Sequence, residues 1–164
     1  MTLHGDLLNQ ARGLATSDPR RPKQANLRRS VSSAYYGLFH LLVEDGSKLA
    51  SRSPANSPAR HLVARKFEHG AMLKVSRAVV SGQAEWMRNS GLTFSADLRY
   101  VADAFVSLQE ERHGADYDTG ARLTRASTIE AVERAAAAFA AWQHTRGSEA
   151  ARYYLLAMLV GPPR

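Results

Sequence analysis

The chain of 164 residues contains no cysteine. Neither a disulfide nor a thiolate metal site can be built from it, and the composition fits a reducing compartment. It also lacks an apolar run approaching the ~20 residues that span a bilayer. The longest run, Tyr153 to Val160, suits a core or interface helix. The stretch from Met1 to Gln10 has no basic flank followed by an apolar segment, so no secretory signal is expected and the expected location is the cytoplasm. There is no glycine-rich phosphate loop, no internal repeat and no polar–apolar alternation of the kind strands require. What remains is an ordinary globular composition, 45% hydrophobic, long enough for one domain with a substantial core.

Acidic residues are also scarce. Twenty-two Lys and Arg face 15 Asp and Glu, a formal net charge of +7. The excess is uneven: residues 1–80 hold 13 positive and 5 negative side chains, residues 81–164 hold 9 and 10. The basic half includes Arg20, Arg21, Lys23, Arg28, Arg29, Arg52, Arg60, Arg65 and Lys66. Such a field attracts polyanions such as RNA, DNA or nucleotides, although helix surfaces carry charge in any case.

Helical periodicity dominates the pattern. Leu3, Leu7, Leu8, Ala11, Leu14 and Ala15 predict an amphipathic helix over 3–16, ended by Ser17-Asp18-Pro19. A long central helix follows over about 24–49, with Leu27, Val31, Ala34 or Tyr35, Leu38 and Leu42 as its apolar stripe and fraying expected at Gly46. Ser57-Pro58 marks the start of a third helix over about 58–80, with Leu62, Val63, Phe67, Met72, Val75 and Val79 inward and Gly70 as a point of bending. Residues 81–94 read as irregular, with room for one helical turn and with Trp86 and Met87 tucked inward. Ser95 caps a fourth helix over 96–117, whose stripe is Leu98, Val101, Ala102, Phe105 and Leu108. The capping-box pattern Ser127-Thr128-Ile129-Glu130 starts a fifth helix with Ile129, Val132, Ala136, Phe139 and Ala140 inward. A sixth runs over 149–160, stopped by Gly161-Pro162-Pro163. The expectation is an all-α antiparallel bundle of five or six helices. It forms a single domain over 1–164, with 148–160 an appended C-terminal helix.

Two stretches carry unusual polar content. On the central helix a second stripe holds Arg29, Ser33, Tyr36 and His40. On the fourth helix the apolar stripe runs directly into Arg112 and then Asp116, and a core-facing arginine must find an anion or several acceptors. Arg112 and Asp116 are four residues apart, as are His113 and Tyr117, so each pair shares a face. Arg112 can hold a phosphate bidentately, and Tyr117 can hydrogen-bond the same ligand or stack on a base. The competing reading is an internal salt bridge that fixes the helix end. His61, His69 and His113 have no metal-ligand spacing, Arg65 and His69 read as a solvated pair on one face, and His144 lies near a helix C-terminus.

The stretch Arg28-Arg29-Ser30-Val31-Ser32-Ser33-Ala34-Tyr35-Tyr36-Gly37-Leu38-Phe39-His40 resembles the signature helix of the HEPN domain superfamily. Arg112-His113-Gly114-Ala115-Asp116-Tyr117-Asp118 resembles that family's second conserved stretch. The resemblance implies a bundle of four or five helices that usually dimerises. It further implies membership among RNA-cleaving toxins, defence-system RNases or non-catalytic nucleotidyltransferase partners that bind nucleotides or RNA. The family's RNase motif is an arginine followed, after four to six residues, by a histidine. After Arg112 those positions are Tyr117, Asp118 and Thr119, and His113 is out of spacing. A phenol is a poor replacement for imidazole as a general base near neutral pH.

The sequence therefore reads as a HEPN-like RNA- or nucleotide-binding protein, part of a toxin–antitoxin or defence system. Its binding residues would be Arg29, Tyr36, His40, Arg112, Asp116 and Tyr117. A homodimer, and a nucleotidyltransferase or antitoxin partner, would accompany it. No cofactor, metal or membrane is expected. The alternatives are a metal-independent endoribonuclease with Arg112, His113 or His40 as catalytic candidates, and a structural or partner-binding bundle.

Overall fold

The computed structural model describes residues 2–51 and 53–162, so Arg52 of the basic set and Pro163 of the C-terminal stop lie outside the described residues. Among those described there are eight helices and no strand. They are α1 (Leu3–Thr16), α2 (Gln24–Ala50), α3 (Pro58–Ala64), α4 (His69–Ser81), α5 (Glu85–Asn89), α6 (Ala96–Tyr117), α7 (Arg125–Thr145) and α8 (Glu149–Val160). The protein is all-α, and no helix among the described residues is long and apolar enough to cross a membrane.

Local chemistry explains most helix starts. Ser57, Ser95 and Ser148 each accept a backbone amide three residues on, at 3.2, 3.1 and 3.1 Å, and so cap α3, α6 and α8. α7 begins three residues earlier than a helix capped by Ser127 would. Thr124 Oγ1 accepts the Ser127 amide at 3.0 Å while Ser127 Oγ accepts the Thr124 amide at 3.2 Å. The reciprocal cap is thus Thr124 with Ser127, and Glu130 is not needed for it.

The helix predicted over 58–80 is two helices, broken at Arg65–Glu68. Phe67 leaves helical register and buries its ring against Gly46 of α2, where an added Cβ would sit 2.3 Å from the ring edge. α2 does not fray at Gly46 but continues through it to Ala50. The break also separates Arg65 from His69, so they share no helix face, and it leaves the face of α3 rotated from expectation: Leu62 is 65% exposed while Arg60 is buried. Arg60 Nε donates to Ser47 Oγ at 3.0 Å, and its Nη groups reach the carbonyls of Ser53 and Glu44 at 3.4 Å. On α7 the inward face is Thr128, Ala131, Val132, Ala135, Ala138 and Trp142, while Ile129 and Ala140 are exposed. An alanine-rich helix gives periodicity little contrast to read. The expected stripes of α2 and α6, in contrast, are buried throughout.

The chain divides into two compact units, one of residues 1–40 and 104–140, the other of 41–103 and 141–164. In the second, Tyr154 of α8 meets Ser76 of α4 at 2.8 Å in a buried hydrogen bond. Trp86 of α5 stacks on Tyr153 at 5.8 Å between ring centroids. The buried Asp45 accepts from Trp142 Nε1 at 2.8 Å and pairs with Lys48 and Arg146. The apolar run Tyr153 to Val160 is thus largely buried within this unit, with Leu156 and Val160 left exposed.

In the first unit, Ser30 and Ser33 of α2 donate to the Ala11 carbonyl and Gln10 Oε1 of α1, at 2.7 and 2.8 Å. Phe139 of α7 meets His4 of α1, and Arg134 of α7 pairs with Glu111 of α6. As residue numbers rise along α2, its contacts on α6 fall, so these two helices run antiparallel.

Candidate functional site

The α2–α6 seam of the first unit is built from both unusual stretches. Arg28, Ser32 and Tyr35 or Tyr36 recur at spacings of three and four, which sets them on one face of α2. That face meets the last two turns of α6. Arg28 donates from Nη1 to the carbonyls of Ala115 and Asp118, at 2.5 and 3.0 Å, and from Nη2 to that of Ala121 at 2.5 Å. Its guanidinium thus ties together a carbonyl of the last turn of α6 and two of the segment that follows it. Ser32 Oγ donates to Asp116 Oδ1 at 2.7 Å, and Arg112 Nε donates to Asp116 Oδ2 at 2.9 Å. The Arg112 guanidinium carbon lies 5.4 Å from the Tyr35 ring centroid and 5.5 Å from that of Tyr36, both within cation–π range.

The electrostatics follow from this packing. Burial opposes the charge on Arg112, but the hydrogen bond to Asp116, with that carboxylate and the two phenols nearby, holds the guanidinium above its ordinary pKa. Burial pushes the Tyr35 phenol up, only partly offset by Arg112. The Arg112 side chain is 13% exposed and that of Asp116 33%. The core-facing arginine has therefore found its anion within its own helix.

Beside this pair the surface is concave. A hollow of about 510 Å³ is lined by Ala25, Arg28, Arg29, Ser32, Ala115, Asp116 and Tyr117. A second, of about 470 Å³, shares Arg28, Ala115 and Asp116 and adds Gln24 and the 119–122 segment. Arg29 and Arg122 are exposed on these linings, and neither makes an ion pair among the described residues.

The expected site residues are thus distributed unevenly. Arg29, Asp116 and Tyr117 line the hollow, and Arg112 supports it through Asp116. Tyr117 is 67% exposed, and its ring lies 4.8 Å from that of His113. Tyr36 lies under Arg112 rather than on the lining. His40 is half-buried beside Phe39 and Tyr36, also off the lining, and burial, helped by His4, lowers its pKa. Ser33 faces α1, so the polar stripe of Arg29, Ser33, Tyr36 and His40 does not form one wall. The residues that join the helices, Arg28 and Ser32, stand one position earlier, and their spacing of four with Tyr36 was the available signal. Among the described residues no three His, Asp or Glu side chains form a metal-binding group. Compared with known proteins, the chain matches no family model, no curated protein and no solved structure.

Proposed function

We propose that this is a HEPN-like helical protein that binds RNA or a nucleotide through phosphate, at the hollow between the start of α2 and the end of α6. One observation carries the reading. The two stretches that resemble the family's conserved segments, far apart in sequence, meet through Ser32–Asp116 and Arg112–Tyr35/Tyr36 beside a hollow that exposes Arg29 and Tyr117. Cationic side chains next to an exposed aromatic ring suit a phosphate with an attached base. The reading extends to a homodimer and to an antitoxin or nucleotidyltransferase partner, as part of a toxin–antitoxin or defence system. It favours binding over catalysis, because neither His113, turned onto Tyr117, nor His40, beside Phe39, is held against Arg112 by any described contact.

The test is titration of a labelled single-stranded RNA, and separately of ATP, at several salt concentrations. Binding that weakens with salt and drops about tenfold in Arg29→Ala is expected. RNA cleavage without added metal, lost in Arg112→Ala, would instead make the protein a ribonuclease. The pairing of Arg112 with Asp116 favours a second reading, in which the cluster only ties α6 to α2. It requires Arg112→Ala to lower the melting temperature while no variant binds either ligand.

A further inference from the structure

Asp116 is the one carboxylate on the lining of the 510 Å³ hollow, among two arginines, a serine and a tyrosine. Each of its oxygens accepts one hydrogen bond, Oδ1 from Ser32 and Oδ2 from Arg112. These are acceptor positions that two oxygens of a phosphate can fill equally well, since carboxylate and phosphate match the same guanidinium donors. The donors are also held without Asp116. Arg112 lies over the rings of both Tyr35 and Tyr36, and Ser32 is fixed on a buried turn of α2. Asp116 itself is the more exposed partner, at 33% against 13%, and sits in the last turn of α6, where its side chain can swing to solvent. Pairs four apart on a partly exposed helix face are weak and readily exchanged. Arg28 cannot substitute as the anion's partner, because its guanidinium is engaged with three carbonyls.

We infer that Asp116 is a built-in competitor for the phosphate that Arg112 takes, so that the site is self-occupied until a ligand displaces the carboxylate. The inference rests on the phosphate-binding reading above and adds its regulation. Exposed Arg29 and Arg122 make the first encounter with the ligand. Displacement of Asp116 then admits it to Arg112 and Ser32. Anything that draws Asp116 away, including a partner's basic side chain, raises affinity.

The experiment measures affinity for a labelled single-stranded RNA of about a dozen nucleotides and for ATP, across a salt series, with folding of each variant checked by circular dichroism. Asp116→Asn keeps the shape and removes the charge. It is expected to bind about tenfold tighter than the parent, with a log–log salt slope for RNA steeper by about 0.7, one further phosphate contact. A general gain from deleting any negative charge is separated by the double variant: the gain must vanish in Arg112→Gln. Should Arg112→Gln not fold, the double variant with Arg112→Lys supplies the second line: it keeps the charge but loses the guanidinium donors, and the gain from Asp116→Asn must shrink. If the parent binds and Asp116→Asn binds no tighter, or its gain persists without Arg112, the competitor role is overturned while phosphate binding stands. If neither the parent nor Asp116→Asn binds RNA or ATP at low salt, the binding reading itself fails, and the inference with it. A gain for RNA but not ATP assigns the site to a polynucleotide, and the reverse to a free nucleotide.

Discussion

At the scale of single residues, three positions are governed by something other than their intrinsic preference. Gly46 lies inside a long helix, where alanine is ordinarily better by about 1 kcal/mol. Its Cα instead receives the Phe67 ring, which a Cβ would meet at 2.3 Å. Overpacking of a buried contact costs about 1–3 kcal/mol, so Gly46→Ala is expected to lower stability in chemical denaturation. A rise would mean that Phe67 moves aside without loss. His40 shows the same conflict in its titration. Burial, and then the charge of His4, hold its imidazole below the ordinary 6.5. The unfolded chain therefore takes up this proton first. The contribution is whole above pH 6.5 and is lost as pH falls from there through the folded-state value. Denaturation midpoints measured through that window are expected to fall on acidification, and to fall less in His40→Gln. An identical slope in both proteins would remove His40 from the account. Arg112 belongs to the same class: sequence placed a charge on a core-facing stripe, and the structure answers with Asp116, Tyr35 and Tyr36.

At the scale of elements, legibility followed the contrast between side chains. α1, α6 and α8 were readable to their ends, because leucine-rich stripes and Ser or Pro punctuation leave little choice. α7 was not, because its alanines pack wherever the helix turns, and its true inward face includes Thr128 and Trp142. Its start was misread for a related reason: Ser127 and Glu130 have capping-box spacing, but Thr124 offers the same chemistry one turn earlier. Thr124→Ala is expected to cost about 1 kcal/mol, whereas Glu130→Ala should stay within about 0.5 kcal/mol of the parent. Thermal melts of the two variants check this, and the opposite order would restore the Ser127 start. The α3–α4 break was hidden because it is set by a partner distant in sequence: Phe67 answers to Gly46, and no local pattern announces that. The site was legible to a similar degree. The Arg112–Asp116 pair followed from spacing alone, and Tyr36 of the expected stripe does meet Arg112, while Arg28 and Ser32, which join α2 to the end of α6, were read one position late as Arg29 and Ser33. The polar stripe of Arg29, Ser33, Tyr36 and His40 looks continuous on a helical wheel, yet it is shared between α1 and α6 as neighbours.

At the scale of the whole molecule, charge is the property that bears on function. The +7 excess gives any polyanion a long-range attraction, and this is independent of fold. A field alone, however, binds without a site, so the proposal depends on whether the attraction is focused at the hollow beside Arg112. The HEPN resemblance supplies the expectation of RNA or nucleotide, and the meeting of its two segments supplies the place. Neither a family model nor a known structure lends further support. The most direct measurement is therefore the affinity of the parent, Arg29→Ala and a charge-matched control, Arg152→Ala on α8, for single-stranded RNA at rising salt. Measurable binding at low salt is expected, weakened about tenfold in Arg29→Ala and unchanged within error in the control. Equal loss in both variants would reduce the binding to diffuse charge, and no binding at low salt would contradict the account outright.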